Sequence, residues 1–214
     1  MKYGEIPSGH IIIPWLSDPA FLETHSQVSG RSLLHIGKCY MLHSLVLHLS
    51  RVEGYVAECG VYKGGSAYVI AKALNETKWL YLFDTFQGLP PGDAAKDNRY
   101  VKGGEFSETS VSEVAKLMSP FKNVSIYQGL IPGTLAALED MRFSFVHIDL
   151  DIYHPIMGSL RFFYPRMPKG GVILLDDYGS EECRGAYLAV EEFCSSMGTR
   201  PLVLQTGQAM IIRT

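Results

Sequence analysis

The sequence predicts an α/β fold on a mostly parallel sheet with helices on both faces. Two observations carry this. From Arg51 onward, short apolar runs bounded by glycine, proline or aspartate alternate five times with stretches of helical period. The last two apolar runs, Leu202–Gln205 and Met210–Arg213, are joined by only a few residues including Gly207. A parallel crossover needs a dozen residues or more, so this closing pair is antiparallel.

The elements follow in order. Residues 1–30 are rich in turn formers (Gly4, Pro7, Gly9, Pro14, Pro19, Gly30) and read as an N-terminal arm. Between Leu33 and Leu49, Leu34, Met41, Leu42, Leu45 and Val46 fall mainly on one face, which predicts an amphipathic helix. Strands are expected at Tyr55–Cys59, Trp79–Phe83, Val124–Tyr127, Phe143–Ile148 and Val172–Leu175. Helices are expected at Ser66–Leu74, after Ser110 with Glu113 completing a capping box, after Pro132, at Pro155–Tyr164 and at Glu181–Met197. The segment from Thr85 to Thr109 is too long and glycine-rich for a plain connector and is expected to form a lid. Residues 1–214 read as one domain, with 1–50 as an arm and helix that cap the site or contact another copy.

Composition narrows the class. Apolar residues make up 47% and the net charge is −3, which excludes a disordered chain. The 19 Lys and Arg against 22 Asp and Glu leave no positive excess for nucleic acid. The greasiest stretch, Leu33–Leu49, is broken by His35, Lys38, His43 and His48, and no membrane span is expected. The N-terminus does not read as a signal peptide. Cys39, Cys59, Cys183 and Cys194 have no paired spacing, so reduced buried thiols in a cytoplasmic protein are expected.

In such sheets ligands bind beyond the carboxyl ends of the strands. The first exit runs Glu58-Cys59-Gly60-Val61-Tyr62-Lys63-Gly64-Gly65-Ser66. Its glycines let a backbone approach a ligand, and the following helix offers free N–H groups; a tight strand–helix turn alone would also need them. Asp84, about 20 residues on at the next strand tip, is placed to accept from ribose hydroxyls, or else to form a turn. Asp149, Asp151, Asp176 and Asp177 gather at two further exits. Carboxylates this close repel unless a cation is present, and an all-oxygen set favours a hard ion, Mg²⁺ first. Helix capping by Asp151 and an Asx turn at Asp177 are the alternatives. His147, in phase with Asp149, has a second role as acid or base open to it.

The string Val56-Ala57-Glu58-Cys59-Gly60-Val61-Tyr62-Lys63-Gly64-Gly65 resembles the first motif of S-adenosylmethionine-dependent methyltransferases. More narrowly, it resembles the macrocin O-methyltransferase family, which acts on sugars of macrolide and aminocoumarin antibiotics. Phe83-Asp84-Thr85-Phe86-Gln87-Gly88-Leu89-Pro90, His147-Ile148-Asp149-Leu150-Asp151-Ile152-Tyr153 and Gly170–Tyr178 are similar to further motifs of that family, in the same order. The resemblance implies a class I, Rossmann-like methyltransferase sheet of seven strands in the order 3-2-1-4-5-7-6. It implies cofactor contacts from Glu58, Gly60, Gly64 and the adjoining Ser66, ribose held by Asp84, and adenine beside Gln128 and Gly129. It gives a divalent metal, Mg²⁺ or another hard ion, to Asp149, Asp176 and Asp177. It also implies that the N-terminal segment covers the site and assembles a homo-oligomer.

The expected activity is methyl transfer to a hydroxyl of a small molecule, a sugar or other vicinal diol, chelated by the metal. Asp149 or His147 would take the proton. A metal-dependent glycosyltransferase using Asp149-Leu150-Asp151 is one rival, but it leaves the glycine turn, Asp84 and Asp176-Asp177 without roles. A nicotinamide dehydrogenase would want a full G-x-G-x-x-G, which this turn lacks. A non-catalytic binding protein on the same fold is the third.

Overall fold

The structure, a computed structural model, describes residues 13–214. The part of the expected arm over residues 1–12 lies outside the described residues. The remainder opens with a 3₁₀ turn, Pro14–Ser17, and a helix, α1 (Pro19–Gln27), where the sequence reading expected only an arm. Asp18 caps it, its Oδ1 accepting from Phe21 N at 3.0 Å, and Pro19 takes the first helical position. Helix α2 (Ile36–His48) starts three residues later than its apolar pattern, because His35 Nδ1 accepts the Gly37 N–H and closes the first turn.

The sheet has seven strands in the order β3-β2-β1-β4-β5-β7-β6. They are β1 (Tyr55–Cys59), β2 (Leu80–Asp84), β3 (Val124–Gln128), β4 (Phe143–Ile148), β5 (Val172–Leu175), β6 (Leu202–Val203) and β7 (Ala209–Ile212). The first five pair in parallel; β7 runs antiparallel to both of its neighbours. The fold is therefore the class I Rossmann-like methyltransferase fold that the motifs implied.

Strand alternation, broken once in β4 between Phe143 and Phe145 where its register with β1 shifts, divides the core into two layers. Leu80 and Leu82 of β2, Phe145 of β4 and Val172 and Leu174 of β5 face the layer under α2, α3 (Gly65–Leu74) and α4 (Val111–Met118). Tyr81 and Phe83, Phe143 and Val146, Ile173 and Leu175 face the layer under α5 (Tyr153–Phe163) and α6 (Arg184–Ser196). Covered on both faces, β5 is an unbroken apolar run and β4 is fully buried with only Ser144 and His147 polar, and the boundaries of both strands match those expected from the sequence. Helix α4 starts under Ser110, whose Oγ accepts from Glu113 N at 3.2 Å, as the capping box required.

At the amino edge of the sheet, Lys78 reaches inward. Its ammonium donates to the Leu49 carbonyl and Ser144 Oγ, both within 2.9 Å, and to the Val52 carbonyl. All four cysteines are buried free thiols. No helix among the described residues is long and apolar enough to cross a membrane.

Candidate active site

The parallel register carries past the strand ends and lines up the functional positions. Gly60 N donates to Phe83 O at 2.9 Å, Asp149 N to Cys59 O at 2.8 Å and Asp176 N to Ile148 O at 3.0 Å. Gly60, Asp149 and Asp176 thus stand side by side at the carboxyl edge. Beyond them opens a cavity of about 570 Å³. Its floor is Gly60–Tyr62, Asp84, Asp149 and the Asp176-Asp177 pair, and its walls are loops: Arg31–His35, Gly88–Pro91 and Gly129–Pro132.

The glycine turn is sterically compelled. Gly60 has φ +90°, and a Cβ there would lie 1.7 Å from the Asp149 carbonyl oxygen. Gly64, at φ +83°, lets α3 begin, but it packs on Leu117 and Val114 and does not border the cavity. Ser66 borders it. Asp84 braces the turn: its Oδ2 accepts from Val61 N (2.7 Å) and Tyr62 N (2.9 Å), and its Oδ1 from Phe86 N (2.7 Å). A carboxylate has about four lone-pair positions, so one remains for a ligand hydroxyl. Gly129 borders the cavity, whereas the exposed Gln128 turns its amide to the Thr85 carbonyl at 3.2 Å.

Glu58, expected against the cofactor, is fully buried and does not line the cavity. It lies opposite His147 in the β1–β4 register, and the two share a 2.9 Å contact between Oε1 and Nδ1. Same-face neighbours on adjacent strands meet this way, so the pair follows from the pairing of the strands. His147, an expected proton acceptor, is also 0% exposed and cannot touch a molecule in the cavity. Burial opposes its charge, but Asp176 and Glu58 prevail and raise it to about 9. Its Nε2 stands 3.9 Å from Asp176 Oδ1, an ion-pair distance too long for a hydrogen bond. His147 therefore supports Asp176 from beneath.

Ligating oxygens of Asp149, Asp176 and Asp177 lie within 4.8 Å of one another. Asp151, Asp177 and Cys183 form a second group at the same spacing, with Cys183 Sγ 3.5 Å from Asp151 Oδ1. Burial, and then the neighbouring carboxylates, push Asp149 well above the ordinary range, Asp151 to about 8 and Asp177 to about 6. Asp176 alone is lowered, because His147 and Lys38 outweigh its burial. Negative charge is in excess, and Asp177 Oδ2 is buried without any partner. An all-oxygen set with an orphaned oxygen fits a hard divalent cation.

Two contributors have no motif. Lys38 of α2 places Nζ 2.6 Å from Asp176 Oδ2, and Gln208 Nε2 donates to Asp176 Oδ1 at 2.9 Å. Lys38 was visible in the sequence only as a charge interrupting an apolar helix face. The Thr85–Thr109 segment does wall the cavity, and it is tightly knit. Leu89 and Glu105 pair, and the buried Asp97 accepts from Asp93 N (2.7 Å) and from Tyr153 N at the start of α5 (3.0 Å).

The sequence profile of the macrocin O-methyltransferase family (TylF) matches residues 27–202. Mycinamicin III 3''-O-methyltransferase of Micromonospora griseorubida is 29% identical over 150 residues, covering 63% of this chain and 59% of that protein. A tetracenomycin-C rhamnosyl 4'-O-methyltransferase of Streptomyces olivaceus is 24% identical over 148 residues, covering 63% and 57%. The chain thus spans somewhat over half the length of these curated relatives. Among solved structures, the O-methyltransferase NovP superposes with a TM-score of 0.73 at 19% identity, covering 86% of this chain and 82% of that one. Calicheamicin methyltransferase CalS11 gives 0.71 at 16% identity, covering 95% and 94%.

Proposed function

The chain belongs to the macrocin O-methyltransferase family, and we propose that it moves the methyl group of S-adenosylmethionine to a hydroxyl of a small-molecule sugar held by a divalent cation. One observation carries the proposal: three aspartates from two neighbouring strand exits meet beside a glycine turn, in one cavity, with an uncompensated buried oxygen. Two relatives are by name O-methyltransferases of a rhamnosyl tetracenomycin-C and of mycinamicin III, which supports a glycosylated small-molecule acceptor here.

Methyl transfer is an in-line displacement, so the acceptor oxygen must stand about 3–3.5 Å from the sulfonium carbon along the bond that breaks. Gly60–Tyr62 and Ser66 form the donor's side of the cavity, with Asp84 fixing the turn through three backbone N–H groups. Asp149, Asp176 and Asp177 would hold Mg²⁺ or a similar ion, which when bound lowers the pKa of a hydroxyl and orients it. Glu58, through His147, holds Asp176 from below, and Gln208 fixes its other side. With His147 sealed off, the proton falls to a carboxylate at the cavity surface. Asp151 is suited to this, since its backbone (φ +57°) and its Cys183 contact hold it there and burial raises its pKa to about 8, which makes its carboxylate a better proton acceptor. The loop Gly88–Pro91 and the segment Arg31–His35 shield the reaction from water.

The test is incubation with S-adenosylmethionine and glycosides bearing vicinal hydroxyls, with and without a chelator. Metal-dependent release of S-adenosylhomocysteine is expected; turnover unaffected by chelation would remove the cation from the reading. Assembly into a homo-oligomer through the N-terminal segment is part of the same proposal, and light scattering checks it.

A further inference from the structure

Asp176 has no oxygen without a partner. Its Oδ1 takes the Gln208 amide at 2.9 Å, and its Oδ2 takes Lys38 Nζ at 2.6 Å, with the Asp176 carbonyl a further 3.2 Å acceptor for the same ammonium. Asp177 Oδ2, by contrast, has none. A cation drawn to all three aspartates must therefore share or displace one of the partners of Asp176. Gln208 is fully buried just before β7, its carbonyl accepting from Leu204 N at 2.9 Å and its Oε1 from Thr206 Oγ1 at 2.9 Å, so its amide is held in place. Lys38 is 22% exposed and borders the cavity on a flexible four-carbon stem. Its ammonium also carries the charge that a dication on Asp176 would repel.

We propose that Lys38 is the resident counter-ion of the acidic cluster and is displaced from Asp176 Oδ2 when a divalent cation binds. This rests on the cation reading above and assigns the residue that sets its affinity. Lys38 lies in the first turn of α2, next to the Arg31–His35 wall. Loading the ion therefore unties that wall from the exit of β5.

Calorimetric titration with Mn²⁺ alone, on wild type and on Lys38→Met, tests the proposal. The variant should bind at least about tenfold tighter, because the competing charge is gone. Equal or weaker binding by the variant overturns the proposal. Should Lys38→Met not fold, hydrogen exchange on the wild-type protein decides. Amides of the first turn of α2 should exchange faster with Mn²⁺ than without it, and unchanged or slower exchange overturns the displacement. Absence of Mn²⁺ binding by both proteins also overturns it, together with the cation site. Donor binding and methyl release remain separately measurable in that case, so the two failures are distinguishable.

Discussion

A Cβ on Gly60 would fall 1.7 Å from the carbonyl oxygen of Asp149. The glycine turn and the first acid of the cluster therefore form one unit, in contact through backbone alone. Gly60→Ala must push the two apart, and the residue's φ of +90° adds strain for any side chain. The expected outcome is a loss of at least about 2 kcal/mol of stability, read as a lowered Tm, with S-adenosylhomocysteine binding lost in the fraction that folds.

Asp84 makes a different prediction. Removing its carboxylate leaves the N–H groups of Val61, Tyr62 and Phe86 without their acceptor. Asp84→Ala should cost about 1–3 kcal/mol in thermal unfolding and weaken S-adenosylmethionine binding in calorimetry. An unchanged Tm with weakened binding would assign Asp84 to the ligand alone.

The Glu58–His147 pair is buried completely, so truncating one partner strands the other. Each of Glu58→Ala and His147→Ala should destabilise by about 3–5 kcal/mol, and the double variant by much less than their sum. Denaturant unfolding of the four proteins completes the cycle. Additive losses would mean that the two residues act independently.

Asp149→Asn should abolish methyl transfer while S-adenosylmethionine affinity stays within a few-fold, because the change is at the acceptor's side. Equal loss of both would make Asp149 a structural residue. Mg²⁺ at about 100 times its Kd should stabilise wild type by about 2.7 kcal/mol and Asp149→Asn by much less, in thermal shift measurements.

The sequence exposes the parts of this fold whose causes are local. Val172–Leu175 is apolar throughout, and Phe143–Ile148 apart from Ser144 and His147, because both faces of each strand are covered. The acids that follow them announce the site. Helix α1 had its signal in Asp18-Pro19, a cap followed by a proline at the first helical position, but the surrounding turn formers outweighed it. The start of α5 was out of reach, since its capping acceptor is Asp97, far away in the loop. Glu58 lay in a motif that points toward a ligand. Only strand pairing, which sets it opposite His147, turns it inward. Lys38 meets Asp176 from 138 positions away, a contact that no local pattern encodes.

The cavity walls come from connections, Arg31–His35, Gly88–Pro91 and Gly129–Pro132, whereas its floor comes from strand tips locked in register. The two jobs are mechanically separate. Retargeting such a scaffold to a new acceptor calls for exchanging rim segments, which loops tolerate. The spacing between the glycine turn and the aspartate cluster is inherited unchanged from the sheet.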